Sequence, residues 1–206
     1  MTSNIIQSKF DEWTKGLSAE DARISVFDHI RDILYYMDPA LFDLEKGPTK
    51  MLEQCDGSCT PKHYLLGEMF GLLEIEVKYL TFRFRWDDMD VESPKEVRAL
   101  ASVIPDTYHL ACRVMLDGKW VLVDATWDTG LKESGFPVNE KWNGFADTVL
   151  AVKSLEEIVH DTASTRHEDI TRIMKEYTLP EKLELARFSA ACNSWMKELR
   201  GGETAT

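Results

Sequence analysis

The dipeptide Asp117-Gly118 restricts this chain more than any other feature, because it divides two β-rich runs within the stretch Tyr108 to Asp128. Asp-Gly between such runs is a strong signal for a two-residue hairpin turn of type I′. A loop of that length sets the register. With Leu116 opposite Lys119, Met115 opposes Trp120, Arg113 opposes Leu122, Ala111 opposes Asp124 and His109 opposes Thr126. Side chains alternate between faces, so His109, Ala111, Asp124 and Thr126 project from one side. Tyr108, Leu110, Cys112, Val114, Val121 and Val123 form an apolar face on the other. Asp124 is then the diagonal neighbour of His109, within about 7 Å and in reach of a carboxylate-to-imidazole hydrogen bond. An ionisable pair facing a helix on an otherwise apolar hairpin is either satisfied structurally or used chemically.

Fifty residues upstream stands Cys55-Asp56-Gly57-Ser58-Cys59-Thr60-Pro61-Lys62-His63, running into the apolar-periodic segment Tyr64 to Leu73. A glycine turn, a cysteine, a capping-type threonine and a proline suited to a first helical turn place Cys59 at or just before a helix N-terminus. Unpaired N–H groups and the positive end of the macrodipole favour an anion there, which lowers a thiol's pKa. Such a cysteine is either a nucleophile or a small buried core residue.

In the order Cys59, His109, Asp124, these residues resemble the triad of the transglutaminase-like superfamily of papain-like thiol enzymes. The resemblance rests on Gly57-Ser58-Cys59 with its helix and on a histidine opening a strand. It rests also on Asp117-Gly118-Lys119-Trp120 followed by Val123-Asp124-Ala125-Thr126-Trp127-Asp128. It spans roughly residues 50–150, including Phe136-Pro137-Val138-Asn139 and Trp142-Asn143-Gly144-Phe145 after the aspartate. One departure is His109-Leu110-Ala111, where many members read His-Ala-Trp, so contacts on the substrate side of the histidine do not carry over.

The resemblance implies an α+β, papain-like (transglutaminase-like) fold with N-terminal helices, a nucleophile helix packed on an antiparallel sheet, and C-terminal helices. It implies Cys59 as nucleophile, His109 as base and then acid, and Asp124 as the group that holds the imidazole. The thiolate would attack a peptide or amide carbonyl and leave a thioester, resolved by water in a protease or deamidase and by an amine in a transglutaminase. The oxyanion would need the cysteine's backbone N–H and an upstream side chain, for which Gln54 is the nearest amide. No cofactor and no metal is implied for the triad, and the expected partner is a peptide or protein substrate.

Three other readings compete. Arylamine N-acetyltransferases share the residue order, but resemble R-G-G-x-C and vD-x-G-F-G where this chain has Asp56-Gly57-Ser58-Cys59 and Val123-Asp124-Ala125-Thr126-Trp127. Cys55, Cys59 and His63 recur at intervals of four and could ligate zinc on one helical face, although Gly57 and Pro61 oppose a helix through Cys55. A catalytically inactive binding module of the same fold is the third. Some transglutaminases use calcium, but Asp87, Asp88, Asp90 and Glu92 lack a glycine-centred ligand spacing and read as a solvated turn.

Composition narrows the partners. A chain of 206 residues supports one domain, here 1–206, with a core at about 50–152 and helical flanks at 1–49 and 153–206. A net charge of −12 argues against nucleic-acid and anionic-membrane surfaces. No apolar leader with a cleavage site and no run of about eighteen apolar residues is present, so a soluble cytoplasmic protein is expected. The four cysteines read as reduced thiols.

Elsewhere, residues 4–15 read as a helix stopped by Gly16. Ser18 caps a second that presents Ile24, Phe27, Ile30, Leu34 and Met37 before Asp38-Pro39 ends it. A short helical turn through Met51-Leu52 precedes the cysteine. Leu80, Phe82, Phe84 and Trp86 predict a strand with one solvated face and a bend near Tyr79. Val149 to Val152 reads as a closing strand, and Ser154-Leu155-Glu156-Glu157 as a capping box opening a helix. Helices follow at 167–177 and 180–199, and Gly201-Gly202 begins a frayed tail. Trp120, Trp127 and Trp142 read as core rather than as a substrate platform.

Overall fold

Ser3 and Ser18 accept hydrogen bonds from the backbone N–H of Ile6 and Asp21, and so open α1 (Asn4–Thr14) and α2 (Ala19–Arg31). The computed structural model describes residues 3–201; the tail read at 202–206 lies outside the described residues. α2 ends at Arg31 and does not continue to Met37 as its apolar period suggested. The backbone beyond it is claimed by distant partners. Gly57 N donates to Leu34 O at 2.9 Å, Tyr35 N to Asp128 Oδ2 at 2.8 Å, and Met37 N to Asn193 Oδ1 at 2.8 Å.

α3 (Gly47–Gln54) closes with Cys55 in the left-handed region at φ 61°. The chain then turns into α4 (Cys59–Leu72), whose residues from Cys59 to Gly67 are all buried. A helix covered on every side occupies the middle of a core.

Four strands form one antiparallel sheet: β1 (Val77–Phe84), β2 (Thr107–Leu116), β3 (Lys119–Val123) and β4 (Ser154–His160), in the order β3-β2-β1-β4. A helix not foreseen from sequence, α5 (Lys95–Ala101), lies between β1 and β2. The hairpin has the register that Asp117-Gly118 predicts, from Leu116 opposite Lys119 to Cys112 opposite Val123. The ladder stops there. The expected pairs Ala111 with Asp124 and His109 with Thr126 do not form, because Asp124 N donates to Thr148 Oγ1 at 2.8 Å and Ala125 N to His63 Nε2 at 3.0 Å.

Both faces of the sheet are covered. Leu110, Cys112, Val114, Val121 and Val123 pack with Tyr64, Leu65, Leu66, Met69 and Phe70 of α4. Leu80, Phe82, Phe84 and Ala111 pack with Phe188, Cys192, Trp195 and Met196 of the last helix, α7 (Leu179–Leu199). The solvated β1 face expected from sequence is thus absent at Thr81, which is fully buried with its hydroxyl 3.1 Å from His160 Nε2. The irregularity in β1 lies between Arg83 and Phe84 where it pairs with β4, not at Tyr79.

The end of the sheet reverses the expectation. Residues 149–152 carry no strand, while Ser154–His160, read as a helix start, is the edge strand β4. Ser-x-x-Glu is a local signal, and it is overridden by a full ladder to β1 with Glu156 on Arg83 at 2.9 Å and Glu157 on Arg113 at 3.2 Å. α6 (Ala163–Glu176) follows, and Thr178 with Glu181 makes a complete capping box at the start of α7. The fold is α+β, with the cysteine helix packed on an antiparallel sheet and helices on both flanks. No helix of the described residues is long and apolar enough to cross a membrane.

Candidate active site

The loop before α4 is held from both sides. Leu34 bridges Asp56, and Gly57 lies so close to Met51 that a Cβ there would stand 2.7 Å from Cγ and Sδ. Ser58, extended, then delivers Cys59 as the first residue of the helix, 8% exposed. Burial pushes the Cys59 thiol up, but the charge of His109 and hydrogen bonds from its ring and from Leu110 N–H outweigh that and leave it below the ordinary thiol range. The sulfur meets the imidazole at the helix tip, since the flank of α4 covers the other face of β2.

His109 Nε2 lies 2.8 Å from Asp124 Oδ2, leaving Nδ1 for the sulfur. Its ring stacks on Phe82 at 6.2 Å and meets the edge of Phe84 at 6.4 Å. Burial disfavours the imidazolium, yet the anionic charges of Asp124 and Cys59 and the hydrogen bonds to both raise its pKa to about 10. Asp124 is buried and held by four donors: His109 Nε2, Ala151 N at 2.8 Å, and Thr126 N at 3.1 Å with Thr126 Oγ1. Burial alone would raise its carboxyl; His109 and these donors bring it down to about 2. The histidine shifts further than the aspartate because it faces two anions and the aspartate mainly one cation.

Two neighbours complete the frame: His63, weighed from sequence only as a zinc ligand, and Lys62, which the sequence reading left unassigned. His63, one turn beyond Cys59, lies 2.8 Å through Nδ1 from Cys59 O, and Nε2 accepts from Ala125 N at 3.0 Å. Burial drives its pKa down to about 4, so it is neutral and ties the Cys59 turn to the residue after Asp124. Lys62, fully buried, donates to Arg31 O at 2.9 Å and Thr126 O at 2.8 Å, and burial lowers it to about 7. The lysine thereby staples α2, α4 and the Asp124 loop together. A buried Lys-His pair directly after a candidate nucleophile was visible in the sequence; the carbonyls it serves were not. Asn139, in the stretch after the aspartate, donates to Asp124 O at 3.0 Å.

The structure brings Cys59, His109 and Asp124 together and leaves Gln54 aside. Gln54 is exposed at the end of α3 and gives its amide to Asp56 Oδ1 at 2.7 Å, because the left-handed turn at Cys55 redirects the chain after it. The same turn leaves Cys55 exposed and off the α4 helix, while His63 has both ring nitrogens occupied, which removes the zinc arrangement. Among the described residues no group of three or more His, Cys, Asp or Glu could hold a metal. In the acidic run, Asp90 pairs with Lys153 at 2.5 Å. Trp127 and Trp142 are buried; Trp120 is half-buried under Lys78 Nζ, 5.1 Å from its ring.

The sequence matches no protein-family model and no curated protein. Among solved structures, the chain is similar to one described as "a Putative Cysteine Protease from Cytophaga hutchinsonii", with 15% sequence identity and a TM-score of 0.42. The match covers 76% of this chain and 49% of that one, so this chain spans about half the length of that protein.

Proposed function

We propose that the protein is a thiol enzyme acting on peptide or amide carbonyls through a Cys59 thioester, with His109 as proton carrier and Asp124 as its anchor. The observation that carries this is the continuous line of carboxylate, imidazole and sulfur, with 2.8 Å between Asp124 and His109 and the thiol held below its ordinary range. The thiolate attacks the carbonyl carbon; a C–S bond forms and the carbonyl electrons move to oxygen. The Cys59 backbone N–H, the first of its helix, is the donor that would meet that oxyanion. The His109 imidazolium gives its proton to the leaving nitrogen as the C–N bond breaks. Water or a primary amine, deprotonated by His109, then attacks the thioester, and the C–S bond breaks to return the thiolate. These outcomes are peptide hydrolysis or side-chain deamidation with water, and transamidation with an amine.

The test is a glutamine-containing peptide library incubated with wild type and with Cys59→Ala, with and without a primary amine, read by mass. Cleavage, a one-dalton gain or an amine adduct absent from the variant supports the reading; identical spectra refute it. Labelling by iodoacetamide at pH 6 gives an independent check. There Cys59 is expected to react before exposed Cys55, and buried Cys112 and Cys192, both raised by desolvation, last.

A further inference from the structure

Resting on the reading of Cys59 as nucleophile, we propose that Arg166 of α6 is a second counter-cation of the Cys59 sulfur, able to hold it as thiolate independently of His109. Arg166 is 2% exposed, and a guanidinium does not deprotonate in a protein. The other buried arginine, Arg31, sits on carboxylates, Asp28 at 2.7 Å and Asp32 at 2.8 Å. Arg166 has no such partner among the described residues. Its hydrogen bonds go to two neutral hydroxyls, Tyr64 Oη at 3.0 Å and Thr60 Oγ1 at 3.4 Å, and its Nε has none. A buried charge left this way is costly unless an anion forms beside it.

Its location says which anion. Thr60 follows Cys59 directly and Tyr64 lies one turn on, so the guanidinium sits against the first turn of α4. The position is near the N-terminal end of α6, where the helix dipole disfavours a cation, and it abuts the positive end of α4. The other groups around the sulfur and Arg166 do not supply the charge. Asp124 is saturated by four donors, and His109 and Lys62 are cations or neutral. Tyr35, Tyr64 and Cys112 are pushed up by burial and stay protonated, while His160, from β4, is lowered by burial and is neutral. Asp169, three residues on in α6, faces His160 Nδ1 at 3.4 Å and Arg172 at 2.7 Å and makes no ion pair with Arg166; Cys59 is the buried group left that can be negative, and the charge of Arg166 acts on it in the stabilising sense. The second unpartnered polar atom of this turn, Ser58 Oγ, adjoins the same cysteine.

The experiment is the pH profile of Cys59 alkylation, with thiolate absorbance near 240 nm, for wild type, Arg166→Gln, Arg166→Lys and His109→Ala. Arg166→Gln is expected to move the thiol midpoint up by about one pH unit, a tenfold loss of rate below it, and Arg166→Lys to restore most of it. His109→Ala should retain a midpoint below the ordinary thiol range, and adding Arg166→Gln should abolish this. An unchanged midpoint in Arg166→Gln overturns the proposal. Thermal stability of Arg166→Gln in Cys59 and Cys59→Ala backgrounds provides a second readout. Greater destabilisation where the cysteine is present supports the ion pair; equal destabilisation, or failure to fold in both, means that Arg166 only packs. If wild-type Cys59 reacts no faster than Cys55 at pH 6, both this proposal and the nucleophile reading fall. An Arg166-dependent profile without peptide turnover removes only the proposed activity.

Discussion

Asp124→Asn keeps the shape of the side chain and removes its charge, and the structure fixes what that costs. The carboxyl is held at about 2 against an ordinary 3.8, and about 1.4 kcal/mol per pH unit makes this about 2.5 kcal/mol of stability near neutrality. The amide adds a second cost. Oδ2 accepts from His109 and Ala151 N, and Oδ1 from Thr126 N and Oγ1, so an NH2 on either side faces a backbone N–H that loses its acceptor, at about 1–3 kcal/mol. The sum, about 3.5–5.5 kcal/mol, is close to that of a broken buried charge pair. Because the folded pKa of Asp124 is depressed, its contribution is present above the unfolded carboxyl value and lost as pH falls through about 2. His109 is raised, so its contribution is full below its unfolded value and lost as pH rises through about 10. The variant should therefore differ most between about pH 4 and 6.5, and toward either extreme the charge-dependent part of the difference should vanish, leaving the about 1–3 kcal/mol of the stranded N–H. In urea unfolding followed by circular dichroism, an m-value of about 2 kcal/mol/M gives a midpoint lowered by about 1.7–2.8 M at pH 5.5. A midpoint within about 0.3 M of wild type there, or a difference that does not vary with pH, would refute the reasoning.

Three further outcomes follow from the same contacts. Lys62→Met should flatten the stability profile on the alkaline side: with the folded lysine near 7, the unfolded chain binds the extra proton between about pH 7 and 10.5 and wild type gains stability there, on the order of 5 kcal/mol, measured as the difference between the two urea curves. His63→Leu strands the Ala125 N–H and should lower Tm by about 3–10 °C in calorimetry, from about 1–3 kcal/mol, while leaving helix content unchanged. Gly67→Ala places a Cβ 2.1 Å from Tyr79 Oη and should destabilise by about 1–3 kcal/mol; adding Tyr79→Phe should recover part of the loss, and no recovery would point to another contact.

Much of the site's frame was legible because its signals are short. The Asp117-Gly118 turn sets five neighbouring pairs by its own backbone geometry, and Ser58-Cys59-Thr60-Pro61 starts a helix within one turn. Where a signal had to outlast its neighbourhood it failed. The apolar period of α2 ran on to Met37, but Asp128 and Asn193, far along the chain, took the backbone donors that a helix would have used. Ser154-Leu155-Glu156-Glu157 fits a helix cap locally and a strand globally, and the ladder to β1 offers more hydrogen bonds than one cap.

The sequence by itself determined the hairpin register, the order of cysteine, histidine and aspartate, and the placing of Cys59 at a helix start, since each follows from torsional and capping preferences within a few residues. Tertiary structure alone decided which donors saturate Asp124, why Gln54 turns to Asp56, and what Lys62, His63 and Arg166 bind around the Cys59 turn. Those are matters of burial and partnership between segments up to about a hundred residues apart. A side chain's charge state depends on the dielectric and partners it meets there, and no local pattern encodes them.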